Sequence, residues 1–303
     1  SDTTTASPKG NLSEASILHT GHSSRSNKSS FTLTERIKFT DSNVPSTSTV
    51  GTGFAYFGGG FPAVVTVDRV EFASDTSAAT PKGAMTSGRY KAAGVGNTKF
   101  GYFGGGVTAT PAYVTTVDRL DYSSDSTAMV AKGSLSTPKR GQSLATGNDE
   151  FGYFGGGQSP SGNSSGVDRI DYSNDTVVAS PKGTLTLVRS GTSATGNSNF
   201  GYFGGGETPS RVSSIDRIEY SNDTVVASPK GLLNQTKDNM GATANNDFGY
   251  WGGGTTGSDI SSMDRADFSN DTVTTAVKGS LSAARWQMSA AGNPEFGYWG
   301  GGY

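Results

Sequence analysis

Hydrophobic and polar positions alternate with a period of two in a short segment that recurs along the chain. In "VDRIDY", Val167, Arg169 and Asp171 fall on one side while Asp168, Ile170 and Tyr172 fall on the other, the pattern of a β-strand. The preceding "FGYF" from Phe151 predicts a second strand, because aromatic rings suit a pleated surface. Small residues after a basic one, as in "RSGTSATGN" from Arg189 to Asn197, predict the strand before each aromatic run. Its Gly-Asn end is a tight-turn signal, since both residues accept positive φ cheaply. Beyond an aspartate-bearing turn, "TVVASPKG" from Thr176 predicts a fourth, outer strand. Its Pro has no N–H to give a ladder, and its Lys discourages further pairing. No segment sustains a helical period, so the chain reads as all-β.

These four segments recur in one fixed order. The aromatic run ends in three glycines whose first members are Gly58, Gly104, Gly155, Gly204, Gly252 and Gly300, in steps of 46 to 51 residues. Asp-Arg follows at Asp68-Arg69, Asp118-Arg119, Asp168-Arg169, Asp216-Arg217 and Asp264-Arg265, with a degenerate Glu35-Arg36. The acidic turns end at Asp75, Asp125, Asp175, Asp223 and Asp271. Lys-Gly closes each unit at Lys82-Gly83, Lys132-Gly133, Lys182-Gly183, Lys230-Gly231 and Lys278-Gly279. Four strands per unit at this period predict a β-propeller. A phosphate-cradling loop needs a following helix opened by Lys-Ser/Thr, and none follows the triplets. The glycines are expected to remove Cβ atoms where blades crowd together, and the aromatics to wedge between sheets.

The ends predict closure. "SDTTTASPKG" at Ser1 parallels "SNDTVVASPKG" from Ser173, so the chain enters at a fourth strand, and it stops after a second strand, "FGYWGGGY". Both ends are expected to share one blade, which removes the sheet edges. The whole chain, 1–303, reads as one propeller domain: a degenerate unit with the closing strand at 1–43, five complete units at 44–279, and a partial closing unit at 280–303. In the degenerate unit "ASILHTG" stands for a first strand and "TLTERIKFTDSN" for the Asp-Arg strand. The residues outside the five units exceed one blade and fall short of two. Two reduced blades are expected, about seven in all; six with an N-terminal extension is the alternative.

The wording "R…A…FGYFGGG…DRIEYSNDT" resembles the Kelch repeat: a basic residue, a small-residue strand, and an aromatic strand ending in Gly-Gly. The resemblance covers nearly the whole chain and departs from the Kelch pattern where a late Trp is replaced by "TVVASPKG". The phrasing "VDRIDYSNDT…ASPKG…ATGN…FGYFGGG" is also similar to repeat proteins of marine bacteriophages. That resemblance implies a virion-associated or extracellular appendage.

Composition narrows the function classes. Aromatics are 10% of residues and the 44 glycines lift a hydrophobic fraction of only 32%, as expected where rings supply most of the burial. The net charge is −2 with both signs interspersed, which argues against nucleic acid as a partner. No apolar run is long enough to insert in a membrane. There are no cysteines, which excludes disulfides, thiolate chemistry and the Tyr–Cys copper site of Kelch-type oxidases. The acidic turns also lack the Gly and Trp of sialidase-type propellers.

Candidate chemistry is sparse. His19 and His22, the two histidines, sit at i, i+3 in a predicted strand and face opposite ways, so no metal site is expected. The paired carboxylates Asp168 and Asp171 recur in every unit, which places them symmetrically and suits structure better than one asymmetric active site. Each Arg of the Asp-Arg pair is expected to bond a carboxylate, most simply on its own face (Arg169 to Asp171, Arg119 to Asp121) or else on the next blade. The aspartates of the acidic turns are expected to cap those turns rather than bind Ca²⁺. No catalytic residue and no cofactor is predicted.

Units differ most after the glycine triplets: "FPAVVT", "VTATPAYVTT", "QSPSGNSSG", "ETPSRVSS" and "TTGSDISS". Such insertions often carry function on one face of a repeat scaffold, and Tyr113, Arg211 and Asp259 are the candidate contact residues there. The expected function is a non-enzymatic propeller that docks on a protein assembly, virion-associated or extracellular. The alternative is an adhesin whose variable loops hold a surface glycan or receptor.

Overall fold

A computed structural model of the chain describes residues 5–9, 20–22, 35–38, 53–141 and 144–303. Among them there is no α-helix, and five four-stranded antiparallel sheets stand as the blades of a β-propeller. From the axis outward, blade 1 holds Thr20–His22, Phe54–Gly58, Val67–Glu71 and Thr80–Pro81. Blade 2 holds Ala93–Gly96, Phe100–Gly104, Val117–Asp121 and Val130–Ala131, and blade 3 holds Ala145–Gly147, Phe151–Gly155, Val167–Asp171 and Ser180–Pro181. Blade 4 holds Ser193–Gly196, Phe200–Gly204, Ser214–Glu219 and Ser228–Leu232. Blade 5 holds Gly241–Ala244, Phe248–Gly252, Ser262–Asp267 and Ala276–Ser280. The outer strand of each carries the edge signals, a Lys in or directly after it in every blade and a Pro in three of them (Pro81, Pro181 and Pro229).

The remaining place in the circle is taken by a three-stranded sheet of Ser289–Gly292, Phe296–Gly300 and Glu35–Lys38. Its innermost strand lies between those of blades 5 and 1 and closes the ring. Ala6 N–H donates to Ser280 O at 2.8 Å, just as Ala227 N–H donates to Thr184 O between blades 4 and 3. The C-terminal strands thus build the closing sheet, and the N-terminal residues lie against its neighbour, blade 5.

The expected count of about seven blades is not met: beyond the five blades and the three-stranded closing sheet, the described residues form only two two-stranded ribbons, Arg89–Tyr90 with Val107–Thr108 and Gln158–Ser159 with Gly162–Asn163. The reason is how the degenerate unit is divided. Thr20–His22 pairs with Phe54–Gly58 and serves blade 1, whereas Glu35–Lys38 pairs with Phe296–Gly300 and serves the closing sheet. Two stretches read as parts of one reduced blade complete two different sheets. His19 lies outside the described residues, as does the His22 side chain, so the histidine reading has no structural counterpart here.

The glycine triplet works as expected. A Cβ on Gly104 would stand 2.7 Å from the Phe154 ring of the next blade, on Gly155 2.6 Å from Phe203, and on Gly204 2.7 Å from Trp251. The next two glycines are left-handed, as at Gly105 (φ 70°) and Gly106 (φ 103°), a turn that side-chain-bearing residues rarely adopt. Fully buried rings thereby fill each seam, each contributing about 2–3 kcal/mol of apolar burial. The two indoles also donate Nε1–H across a seam, Trp251 to Ser193 O and Trp299 to Gly241 O, both at 3.0 Å.

Candidate functional site

The recurring charged residues converge on the seams. At the boundary of blades 2 and 3, Asp175 accepts from Tyr102 Oη at 2.9 Å and from an Arg119 terminal nitrogen at 2.7 Å, both on Oδ2; Lys132 Nζ lies 3.2 Å from Oδ1. Three donors from one blade meet one carboxylate of the next. The same set repeats as Tyr56, Arg69 and Lys82 on Asp125; as Tyr153, Arg169 and Lys182 on Asp223; and as Tyr202, Arg217 and Lys230 on Asp271. The closing seam keeps part of it: Lys9 reaches Asp75 at 3.6 Å and Tyr298 stacks on Phe72 at 4.5 Å. Each seam tyrosine likewise stacks on the aromatic that opens the next acidic turn, as Tyr102 does on Tyr172 at 4.9 Å. Each arginine lies over the first Phe of its own blade, Arg119 over Phe100 at 4.3 Å.

This corrects two expectations. Arg169 and Arg119 bond the next blade, not Asp171 and Asp121 on their own face. Those two aspartates accept from the following serine N–H and Oγ, so they cap the turns, and the aspartates at the turn ends do not cap but anchor the seams. Strand alternation correctly puts Arg169 and Asp171 on one side, but the guanidinium reaches out of the sheet, where a fixed carboxylate on the neighbour fits it better than an exposed one.

Electrostatics agree. Burial pushes the Asp175 carboxyl up, but Tyr102, Arg119 and Lys132 outweigh it and hold it below its ordinary value. Burial, then the bond to that carboxylate, drives the Tyr102 hydroxyl far above the phenol range. Neither group is poised to exchange protons near neutrality.

The Asp-Arg aspartates are consumed within blades. Fully buried Arg89 lies 2.9 Å from Asp118, which also accepts from Thr86 N and Oγ1; Arg189 pairs with Asp216 at 3.0 Å, and Lys139 and Lys237 hold Asp168 and Asp264. Burial lowers the Arg89 guanidinium below its ordinary value and Asp118 opposes this. No group of three or more His, Cys, Asp or Glu side chains is placed to hold a metal among the described residues. No described helix is long and apolar enough to cross a membrane.

Unlike residues meet only at the axial end that carries the variable loops. In the lead-in to four innermost strands one residue is left-handed even where it is not glycine, Lys91 (φ 56°), Gly191 (φ 62°), Asn239 (φ 55°) and Gln287 (φ 56°), while Gly141 at the matching place has φ 157°. Backbone bonds link this collar, Gly141 N–H to Lys91 O, Asn239 N–H to Gly191 O and Gln287 N–H to Asn239 O. It borders a cavity of about 200 Å³ that also exposes Arg140, Gln158, Ser190, Glu207 and Asp238. At the opposite end, a cavity of about 150 Å³ is lined by Ala145, Ala194, Ala242 and Ala290 and by turn residues such as Asn148 and Asn293, a bland wall of small side chains.

Tyr113, Arg211 and Asp259 prove to occupy matching positions in three loops at this end, each behind its glycine triplet. Tyr113 reaches the next blade, where its hydroxyl is 3.2 Å from Gln158 Oε1 and Arg140 lies over its ring. Arg211 Nε donates to Asp238 Oδ1 at 2.7 Å, again across a seam. Asp259 is exposed. The structure thus brings Tyr113 and Arg211 to the rim of one cavity through Arg140 and Asp238 and leaves Asp259 apart. Lys91, Arg140, Glu207 and Asp238 were missed; the signal available was the column Lys91, Gly141, Gly191, Asn239, Gln287, where glycine in two copies marks a special backbone. No protein-family model and no curated protein matches the chain.

Proposed function

We propose that the protein is a non-enzymatic interaction module whose outer rim docks on a protein assembly of a virion or another extracellular surface. One observation carries the reading. While the repeated charges are tied up in seams and within blades, each successive blade from the third to the fifth turns valines outward: Val177 and Val178, Val225 and Val226, Val273 and Val277. Val178 is 60% and Val226 61% exposed, and apolar side chains recurring around an edge are what a partner covers. The similarity to phage repeat proteins supports the virion setting. The decisive experiment isolates the native particle and quantifies this chain in it. A stoichiometric amount, with V178K/V226K protein failing to rejoin stripped particles, is the expected result; a chain found only free, or unaffected reassembly, overturns it.

A second reading, recognition of a surface glycan by the loop end, is favoured by a cavity there in which unlike polar and charged side chains converge.

A further inference from the structure

Buried and seam cations among the described residues are largely paired with carboxylates: Arg69, Arg119, Arg169 and Arg217 across the seams, and Arg89, Lys139, Arg189 and Lys237 within blades, are in ion pairs. Lys91 breaks the rule. No described carboxylate lies within ion-pair distance of its ammonium, although the side chain lines the axial mouth. Its nearest charged neighbours are Arg140, which disfavours its charge, and Asp238, which favours it. Asp238 is already engaged, Oδ1 by Arg211 and Oδ2 by Asn239 Nδ2 at 2.7 Å. Arg140 is held in place by the Gln158 amide oxygen, a neutral acceptor, and by the Tyr113 ring. Two cations without a carboxylate partner among the described residues thus line one cavity of about 200 Å³.

We propose that the axial mouth binds an acidic sugar residue, with its carboxylate on Lys91 and Arg140. Charge-assisted bonds of this kind are among the strong ones, and a partly enclosed cavity screens them less than open water does. The rest of the lining suits a polyhydroxylated ring: Ser190 and Asn239 can donate and accept hydrogen bonds, and Glu207 can accept them from hydroxyls. The collar backbone is fixed by its own hydrogen bonds, so the cations are preorganised. Burial and Arg140 together bring the Lys91 ammonium down to about 8, consistent with a cation whose partner arrives from outside. The site rests on the glycan reading of this end and is independent of rim docking.

The test titrates the full chain with sodium glucuronate, glucose and inorganic phosphate, followed by calorimetry and by backbone NMR shifts at the collar. The variants are K91G and K91Q, because glycine and glutamine already occupy this left-handed position at Gly191 and Gln287; unchanged circular dichroism confirms their fold. Glucuronate is expected to bind, glucose at least tenfold more weakly, and both variants to lose about tenfold or more in affinity. Glucose binding as well as glucuronate, or variants binding unchanged, overturns the site and leaves the glycan reading standing. Failure of both sugars overturns both. Phosphate binding as tightly as glucuronate marks a general anion site and overturns the sugar class.

Discussion

Replacing Asp175 with alanine tests the claim that one carboxylate per seam holds the blades together. The substitution strips the acceptor from Tyr102, Arg119 and Lys132 at once. Tyr102 is fully buried, so its hydroxyl is left unsatisfied at about 1–3 kcal/mol. Arg119 and Lys132 keep 24% and 14% of their side-chain surface, so water recovers part of their loss, leaving about 1–2 kcal/mol between them. The sum, about 2–5 kcal/mol, reaches the range that breaking a largely buried ion pair costs elsewhere. At roughly 2 °C per kcal/mol for a chain this long, Tm falls by about 4–10 °C.

The comparison that gives the measurement force is Asp171→Ala. Asp171 lies on Arg169's own face and caps a turn through Ser173 N at 2.9 Å and Oγ at 2.6 Å, so its loss costs about 1 kcal/mol. Urea unfolding of both variants yields the difference directly if the slopes agree, and a double-mutant cycle with Arg119→Ala isolates the seam pair. Equal costs for Asp171 and Asp175, or zero coupling between Arg119 and Asp175, would refute the cross-seam assignment.

Three further outcomes follow from the same geometry. Gly183→Ala places a Cβ 1.7 Å from Val225 O of the next blade, a backbone clash that must part the outer seam; thermal unfolding should show a loss of about 3 kcal/mol or more. Trp251→Phe keeps an aromatic ring but removes the donor to Ser193 O, so chemical denaturation should register about 1–3 kcal/mol. Lys91 in the folded protein sits at about 8 against an ordinary 10.5. Between those values the unfolded chain binds the extra proton, so the wild type should gain stability over K91Q as pH rises from 8 to 10.5, measured by urea midpoints; a difference independent of pH would contradict the buried cation.

The periodicity made the fold legible because a propeller repeats its seams. Phe154 against Gly104 is one instance of a contact made five times, so its residues recur at one spacing and can be read as a pair without coordinates. What lay beyond reach was which side chain crosses. Arg119 and Asp175 are 56 residues apart, more than one period, and strand alternation ranks only same-sheet neighbours. The Lys-Gly pairs were visible as a marker without a reason; the reason is a carbonyl pressed against each glycine by the next blade. The blade count failed where the pattern is weakest. Residues 20–22 and 35–38 carry no full motif, and their assignment to two sheets depends on pairing with partners at 54–58 and 296–300. Tyr113 and Arg211 were found as the loudest side chains in the variable loops, while Lys91 hid in a strand lead-in that looked structural.

A ring of like units separates the demands of the fold from those of function more cleanly than most architectures do. Residues repeated at every seam, such as Asp125, Asp175, Asp223 and Asp271, are explained by the seam and need no other reason. The collar behaves differently. The same left-handed backbone recurs at Lys91, Gly191, Asn239 and Gln287, and glycine accepts it without the strain of about 1 kcal/mol or more that a side chain incurs. Asn239 and Gln287 take it too, so strain alone does not single out Lys91. What sets Lys91 apart is an arginine that disfavours its charge and no described carboxylate within ion-pair distance. A ligand that arrives with the missing negative charge offsets that repulsion, which the fold by itself leaves in place.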